Sequence, residues 1–98
     1  MERKLKGVFV PANIWECKEL SITERFLIAE INRLDSTEGC RETNKYFAEF
    51  LNLTQSRISV IINNLVKRGF LYSTIKYKDN KEVENRILSV NKTILNIN

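Results

Sequence analysis

The chain has 98 residues, 43% apolar and 29% charged, with sixteen Lys/Arg against twelve Asp/Glu and no histidine. That is the composition of one ordinary globular domain, and no apolar run approaches the ~20 residues needed to span a bilayer. The opening MERKLKGVFVPANIWE is basic and then apolar. Its apolar part is too short for a signal peptide and lacks a small-residue cleavage site, so the expected location is cytoplasmic.

Leu5–Val10 (LKGVFV) reads as a short N-terminal strand, and Pro11 stops it or opens a helical turn. Ala12–Cys17 is then a short helix, with Ile14 and Trp15 as core anchors. Ser21 and Glu24 have capping-box spacing. The helix they open carries Phe26, Leu27, Ala29, Ile31 and Leu34 on an apolar face, with Ile28 less well placed, and ends near Leu34. Asp35–Arg41 is a polar loop.

Thr43 is an N-cap for a second main helix, Asn44 to about Leu51, which buries Phe47, Ala48, Phe50 and Leu51. Asn52 stands at a sharp turn and tolerates the left-handed conformation needed there. Leu53 plugs that turn into the core. Thr54 caps a third main helix, Gln55–Arg68, and Gly69 stops it. Phe70–Tyr77 and Val83–Val90 are strands joined by the turn Lys78–Lys81. The remainder, Asn91–Asn98, is weakly patterned. The domain is expected to span 1–90, and 91–98 to be a frayed tail or the start of a linker to a further domain.

Two helices across a tight turn, followed by a hairpin, predict an α+β, mainly α fold. It is a winged helix-turn-helix with three main helices and a wing sheet of two to three strands. Leu5, Val8 and Val10 could supply the third strand or mediate a homodimer.

The residues for catalysis are missing from this pattern. Without histidine there is no Ser-His or Cys-His pair to activate a nucleophile. Gly7, Gly39 and Gly69 are isolated and form no phosphate loop. Cys17 and Cys40 do not make a zinc site, which takes four ligands. Both are expected to be reduced, with one or both packed as small hydrophobes. No catalytic residue, metal or cofactor is expected.

Charge is unevenly placed. Residues 43–81 hold seven Lys/Arg against Glu49 and Asp79, whereas residues 1–42 hold seven against eight acids. A polyanion partner would benefit from that concentration. The third helix divides cleanly. Ile58, Ile61, Ile62, Leu65 and Val66 form the inward stripe. The other face holds Gln55, Ser56, Arg57, Ser59, Val60, Asn63, Asn64 and Lys67, with Thr54 as cap, two cations and no acid.

Arg reads guanine bidentately, Asn or Gln reads adenine, and Val60 could meet a thymine methyl. Thr43, Asn44 and Lys45 start the preceding helix, where free N–H groups and a lysine could hold a phosphate. Lys76, Lys78, Asn80 and Lys81 are the wing residues that could reach flanking backbone. Arg86 is the least certain of the basic residues, because Glu82 or Glu84 could pair with it.

Three pieces carry a family likeness: Ile14-Trp15 with Leu20-Ser21, Asn44-Lys45-Tyr46-Phe47-Ala48, and Ser56-Arg57-Ile58-Ser59 running into Leu65-Val66-Lys67-Arg68-Gly69. Over residues 8–90 the chain resembles the winged-helix N-terminal domain of phage and mobile-element replication initiators, the replisome organisers of low-GC Gram-positive bacteria. Transcription regulators with winged helices share its apolar frame.

The resemblance implies double-stranded origin DNA as the partner and Gln55–Asn63 as the contacting segment. It also implies a helicase loader or helicase as a further partner, through a C-terminal region beyond this chain. The alternative is a small regulator binding operator DNA.

Overall fold

The computed structural model describes residues 9–77 and 83–97. Among them are four helices and one antiparallel sheet of two strands, an α+β arrangement that is mainly helical. The helices are α1 (Ala12–Trp15), α2 (Ile22–Leu34), α3 (Asn44–Leu51) and α4 (Gln55–Lys67). The strands are β1 (Leu71–Tyr77) and β2 (Val83–Val90). Residues 1–8, with Leu5 and Val8 of the expected N-terminal strand, lie outside the description, and Phe9 and Val10 are not in a strand. The turn with Lys78, Asn80 and Lys81 also lies outside it.

Each main helix starts where its cap places it. Ser21 Oγ accepts from the Glu24 amide at 3.1 Å while the Glu24 carboxylate accepts from the Ser21 amide at 2.9 Å, a full capping box. Thr43 and Thr54 accept from the amides of Tyr46 and Arg57, both at 3.1 Å. α3 ends at Asn52 in the left-handed region, φ 60° and ψ 47°. That sends Leu53 back toward the core and lets α4 begin with only three residues between it and α3.

At the end of α4, Gly69 takes φ 88°. The Phe70 amide reaches Leu65 O and the Gly69 amide reaches Val66 O, both at 3.0 Å. This paired closure needs a residue with positive φ, which glycine adopts without strain.

One core joins all the elements. Ile14, Leu27, Ile28, Ile31, Phe47, Ile58, Leu65, Leu71 and Leu88 are buried in it. Three sequence expectations change here. Ile28 is fully buried rather than marginal, and Phe26 is only half-buried. The reason is that α2 packs against α1, α3 and β2, so its covered surface is wider than a single stripe. Trp15 is not a core anchor. It is 45% exposed, tilted against Phe26 with the Arg25 guanidinium 5.2 Å from its ring centre. With Ile14 turned fully inward, the next residue of so short a helix must point elsewhere.

The sheet pairs Leu71 with Val90 and Ile75 with Arg86, with a bulge after Lys76. Its third partner comes from an unexpected place. Cys40 makes an isolated antiparallel bridge to Leu88, with N···O distances of 2.7 and 2.8 Å. Gly39, at φ 85°, lets that loop approach, because a Cβ there would lie 2.3 Å from Ile87 Cγ2.

Neither cysteine is in a disulfide. Cys40 is buried, which pushes its thiol pKa up, and Cys17 is half-buried. Residues 91–97 are docked rather than frayed. Asn91 bonds Phe70 O and Gly69 O, Leu95 is buried, and Asn96 O accepts from the Asn13 side chain.

Candidate nucleic-acid interface

α4 divides as its spacing requires. Ile58, Ile61, Ile62 and Leu65 are buried and Val66 is partly buried. Thr54, Gln55, Ser56, Arg57, Val60, Asn63, Asn64 and Lys67 are exposed, and Ser59 is half-buried. The outward face has an order of its own. Ser56, Val60, Asn63 and Lys67 follow spacings of four, three and four, so they stand one above another along its centre. Val60 is 63% exposed, an apolar side chain at the middle of a polar stripe. Arg57 and Asn64 form one flank. Gln55 and Ser59 form the other.

The N-terminus of α3 lies near the start of α4. Lys45 shares a shallow open depression with Glu49, Asn52, Leu53, Thr54 and Gln55. Neither α3 nor α4 has an acid in its first turn, and each has a cation there, Lys45 and Arg57. The helix dipole makes that an unfavourable place for a cation in the free protein and a favourable one for a bound anion. Among the described residues, neither Lys45 nor Arg57 is in an ion pair. Of the expected wing residues, Lys76 is on β1, and Lys78, Asn80 and Lys81 are outside the described residues.

Three basic side chains that look alike in the sequence have inward work. Arg68, at the end of α4, pairs with Glu24 at 3.0 Å and donates to Asn64 Oδ1 at 3.0 Å and to Glu19 O. Its guanidinium lies 5.2 Å from the centre of the Phe70 ring. It fastens α4 to the start of α2 and adds little to an outward positive field.

Arg86 donates to Asn44 Oδ1 at 2.6 Å and to Glu42 O at 2.8 Å, tying β2 to the start of α3. Burial lowers its pKa. Arg33 clamps the buried Glu30 carboxylate through Nε at 2.9 Å and Nη2 at 2.8 Å, and Tyr46 OH donates to the same group. These bonds hold the Glu30 carboxyl below its ordinary pKa despite burial. Burial and the bond to Glu30 push Tyr46 up to about 12.

Sequence reasoning missed all three fastenings. The readable signals were the Glu30–Arg33 spacing of three and the Asn64–Arg68 spacing of four. Arg86 and Asn44 are 42 residues apart and meet only in the folded chain. No described cluster of three or more His, Cys, Asp or Glu could hold a metal, and no described helix is long and apolar enough to cross a membrane. Comparison with protein-family models, with curated proteins and with solved structures found no match.

Proposed function

We propose that this protein is a winged helix-turn-helix domain that binds double-stranded DNA sequence-specifically. In this reading α3 and α4 are the helix pair, α4 lies in the major groove, and the β1–β2 hairpin is the wing beside flanking backbone. The observation that carries the reading is the pair of α3 and α4 N-termini. Each is capped by threonine, lacks an acid and holds an exposed cation, beside an outward α4 face without acids. Such a surface suits phosphate at its edges and base edges at its centre.

Within that face Arg57 is the candidate guanine reader, and Val60 stands where a thymine methyl would be met. Lys45 and the first amides of α3 are the candidate phosphate site. The resemblance to replication initiators makes an origin of a phage or mobile element the site of choice. Helicase loading then belongs to a further part of such a protein.

The test is an anisotropy titration of a labelled duplex pool from the source replicon, at two salt concentrations, with random DNA as control. Salt-sensitive binding with ~10³-fold or greater preference for one fragment is the expected result. Mapping that fragment to an origin supports the initiator reading, and mapping it to a promoter supports the regulator. Absence of binding at low salt overturns the DNA reading altogether.

A further inference from the structure

Three asparagines of α3 and α4 lie on the candidate interface, and the fold treats them differently. Asn44 Oδ1 accepts from Arg86 Nη1 at 2.6 Å. Asn64 Oδ1 accepts from Arg68 Nη1 at 3.0 Å. Both arginines are fixed from behind: Arg86 by Glu42 O, and Arg68 by Glu24 and Glu19 O. Asn63, in the central row of the outward face, is exposed and its side chain has no hydrogen bond among the described residues.

An asparagine reads adenine with two bonds in one plane. Its Oδ1 accepts from the N6 amino group, and its Nδ2 donates to N7. Both of its polar atoms must therefore be available together. At Asn44 and Asn64 an adenine amino group approaching Oδ1 would meet guanidinium N–H groups, donor against donor. One lone pair remains on each Oδ1, but it lies beside the guanidinium, so the free Nδ2 donor is the main group these two side chains offer outward. A phosphate oxygen is purely an acceptor and accepts such a bond without any sequence requirement.

We propose that Asn63 is the adenine-reading asparagine of α4, and that Asn44 and Asn64 are backbone-holding donors oriented by Arg86 and Arg68. This rests on the DNA-binding reading above. It also divides the interface in space. Base reading runs down the central row, and phosphate contacts lie at the start of α3 and on the Arg68 flank of α4.

The experiment selects duplexes from a randomised pool with the full chain, then measures selected and random duplexes against single variants of matched thermal stability. Asn63→Ala is expected to relax preference at one A·T pair, by roughly 5- to 150-fold. Replacing that adenine with 7-deazaadenine, which lacks the N7 acceptor, should weaken the parent chain and leave Asn63→Ala unchanged.

Asn44→Ala and Asn64→Ala should weaken selected and random duplexes by the same factor. Asn64→Asp keeps an acceptor for Arg68 but replaces the outward donor with a carboxylate oxygen, so it should weaken every duplex more than Asn64→Ala does. Relaxed base preference in Asn64→Ala or Asn44→Ala, with none in Asn63→Ala, overturns the assignment while leaving DNA binding intact. Failure of the parent chain to bind any duplex at low salt instead removes the reading on which it rests.

Discussion

The N-terminus of α2 and those of α3 and α4 begin with the same kind of cap and finish in opposite states. At α2, Ser21 and Glu24 close the capping box, Glu24 puts a negative charge in the first turn, and Arg68 pairs with that charge. At α3 and α4, Thr43 and Thr54 satisfy one amide each, and the first turn then carries Lys45 or Arg57. The dipole interaction is worth about 0.3–1 kcal/mol per charge, stabilising for an acid and destabilising for a cation. The α2 end is thus complete within the fold, whereas the first turns of the other two hold no acid and, among the described residues, their cations are in no ion pair. Local rules are most often broken where function requires it, and the break here falls on both helices that meet at the Asn52 turn.

The largest way to break the contrast is on the completed side. Glu30, buried on α2, is held by Arg33 and Tyr46. Arg33 is 61% exposed, so water screens part of that pair. Glu30→Ala should cost about 2–3 kcal/mol, mostly from the lost charged hydrogen bonds and the stranded Tyr46 hydroxyl. Urea unfolding measures it, and the salt dependence of DNA binding should not change.

Acid sharpens the same point. The folded Glu30 carboxyl titrates below its ordinary 4.5, so its contribution is present above that pH and is lost as pH falls through the folded value. Glu30→Gln should flatten that acid limb. Tyr46 titrates high, near 12 against an ordinary 10, so the stability from its neutral form is full below pH 10 and is lost as pH rises toward 12.

The next effect is on the incomplete side and leaves stability alone. Arg57→Ala should weaken specific binding by ~1–3 kcal/mol if the guanidinium reads a base. Because it also removes a cation from a helix start, the free protein should melt no lower than the parent, within about 0.5 kcal/mol. Equal loss on specific and random DNA would remove the base-reading role.

A smaller change returns to α2. Glu24→Ala removes the box acid and the Arg68 partner, for about 1 kcal/mol of stability. Arg68 keeps Asn64 and Glu19 O. DNA affinity should therefore hold, and a large loss would mean that the two ends are not separable.

What could be read from the chain follows from how local each feature is. The caps at Ser21, Thr43 and Thr54, the turn at Asn52, the stop at Gly69 and the division of α4 depend on neighbours within a few residues. Each was legible. Ile28 and Glu30 were misjudged or unseen because their burial is set by elements distant in sequence, and Trp15 because a four-residue helix that turns Ile14 inward leaves its neighbour outside. The candidate site behaves likewise. Its exposed residues follow helical spacing, whereas the inward work of Arg68 and Arg86 depends on partners 44 and 42 residues away. Counting lysines and arginines along residues 43–81 therefore overstated the outward charge: Arg68 belongs to the fastening of α4 on α2.

That leaves Lys45 as the finest probe of the contrast. It stands in the first turn of α3, exposed, at the rim of the depression that leads to Thr54 and Gln55. In the proposed complex a lysine in that place, reinforced by free helix amides, would neutralise one phosphate and release its counterions. Lys45→Ala should weaken selected and random duplexes alike and reduce the salt slope by about one unit. The helix itself should be unaffected or slightly steadier, since the dipole no longer opposes a cation. Lys45→Glu should separate the two effects further: the dipole gain is offset by repulsion from Glu49 one turn on, so thermal melting changes little while every duplex binds more weakly. An unchanged salt slope in Lys45→Ala would show that no phosphate sits at α3, and the interface would then reduce to α4 and the hairpin.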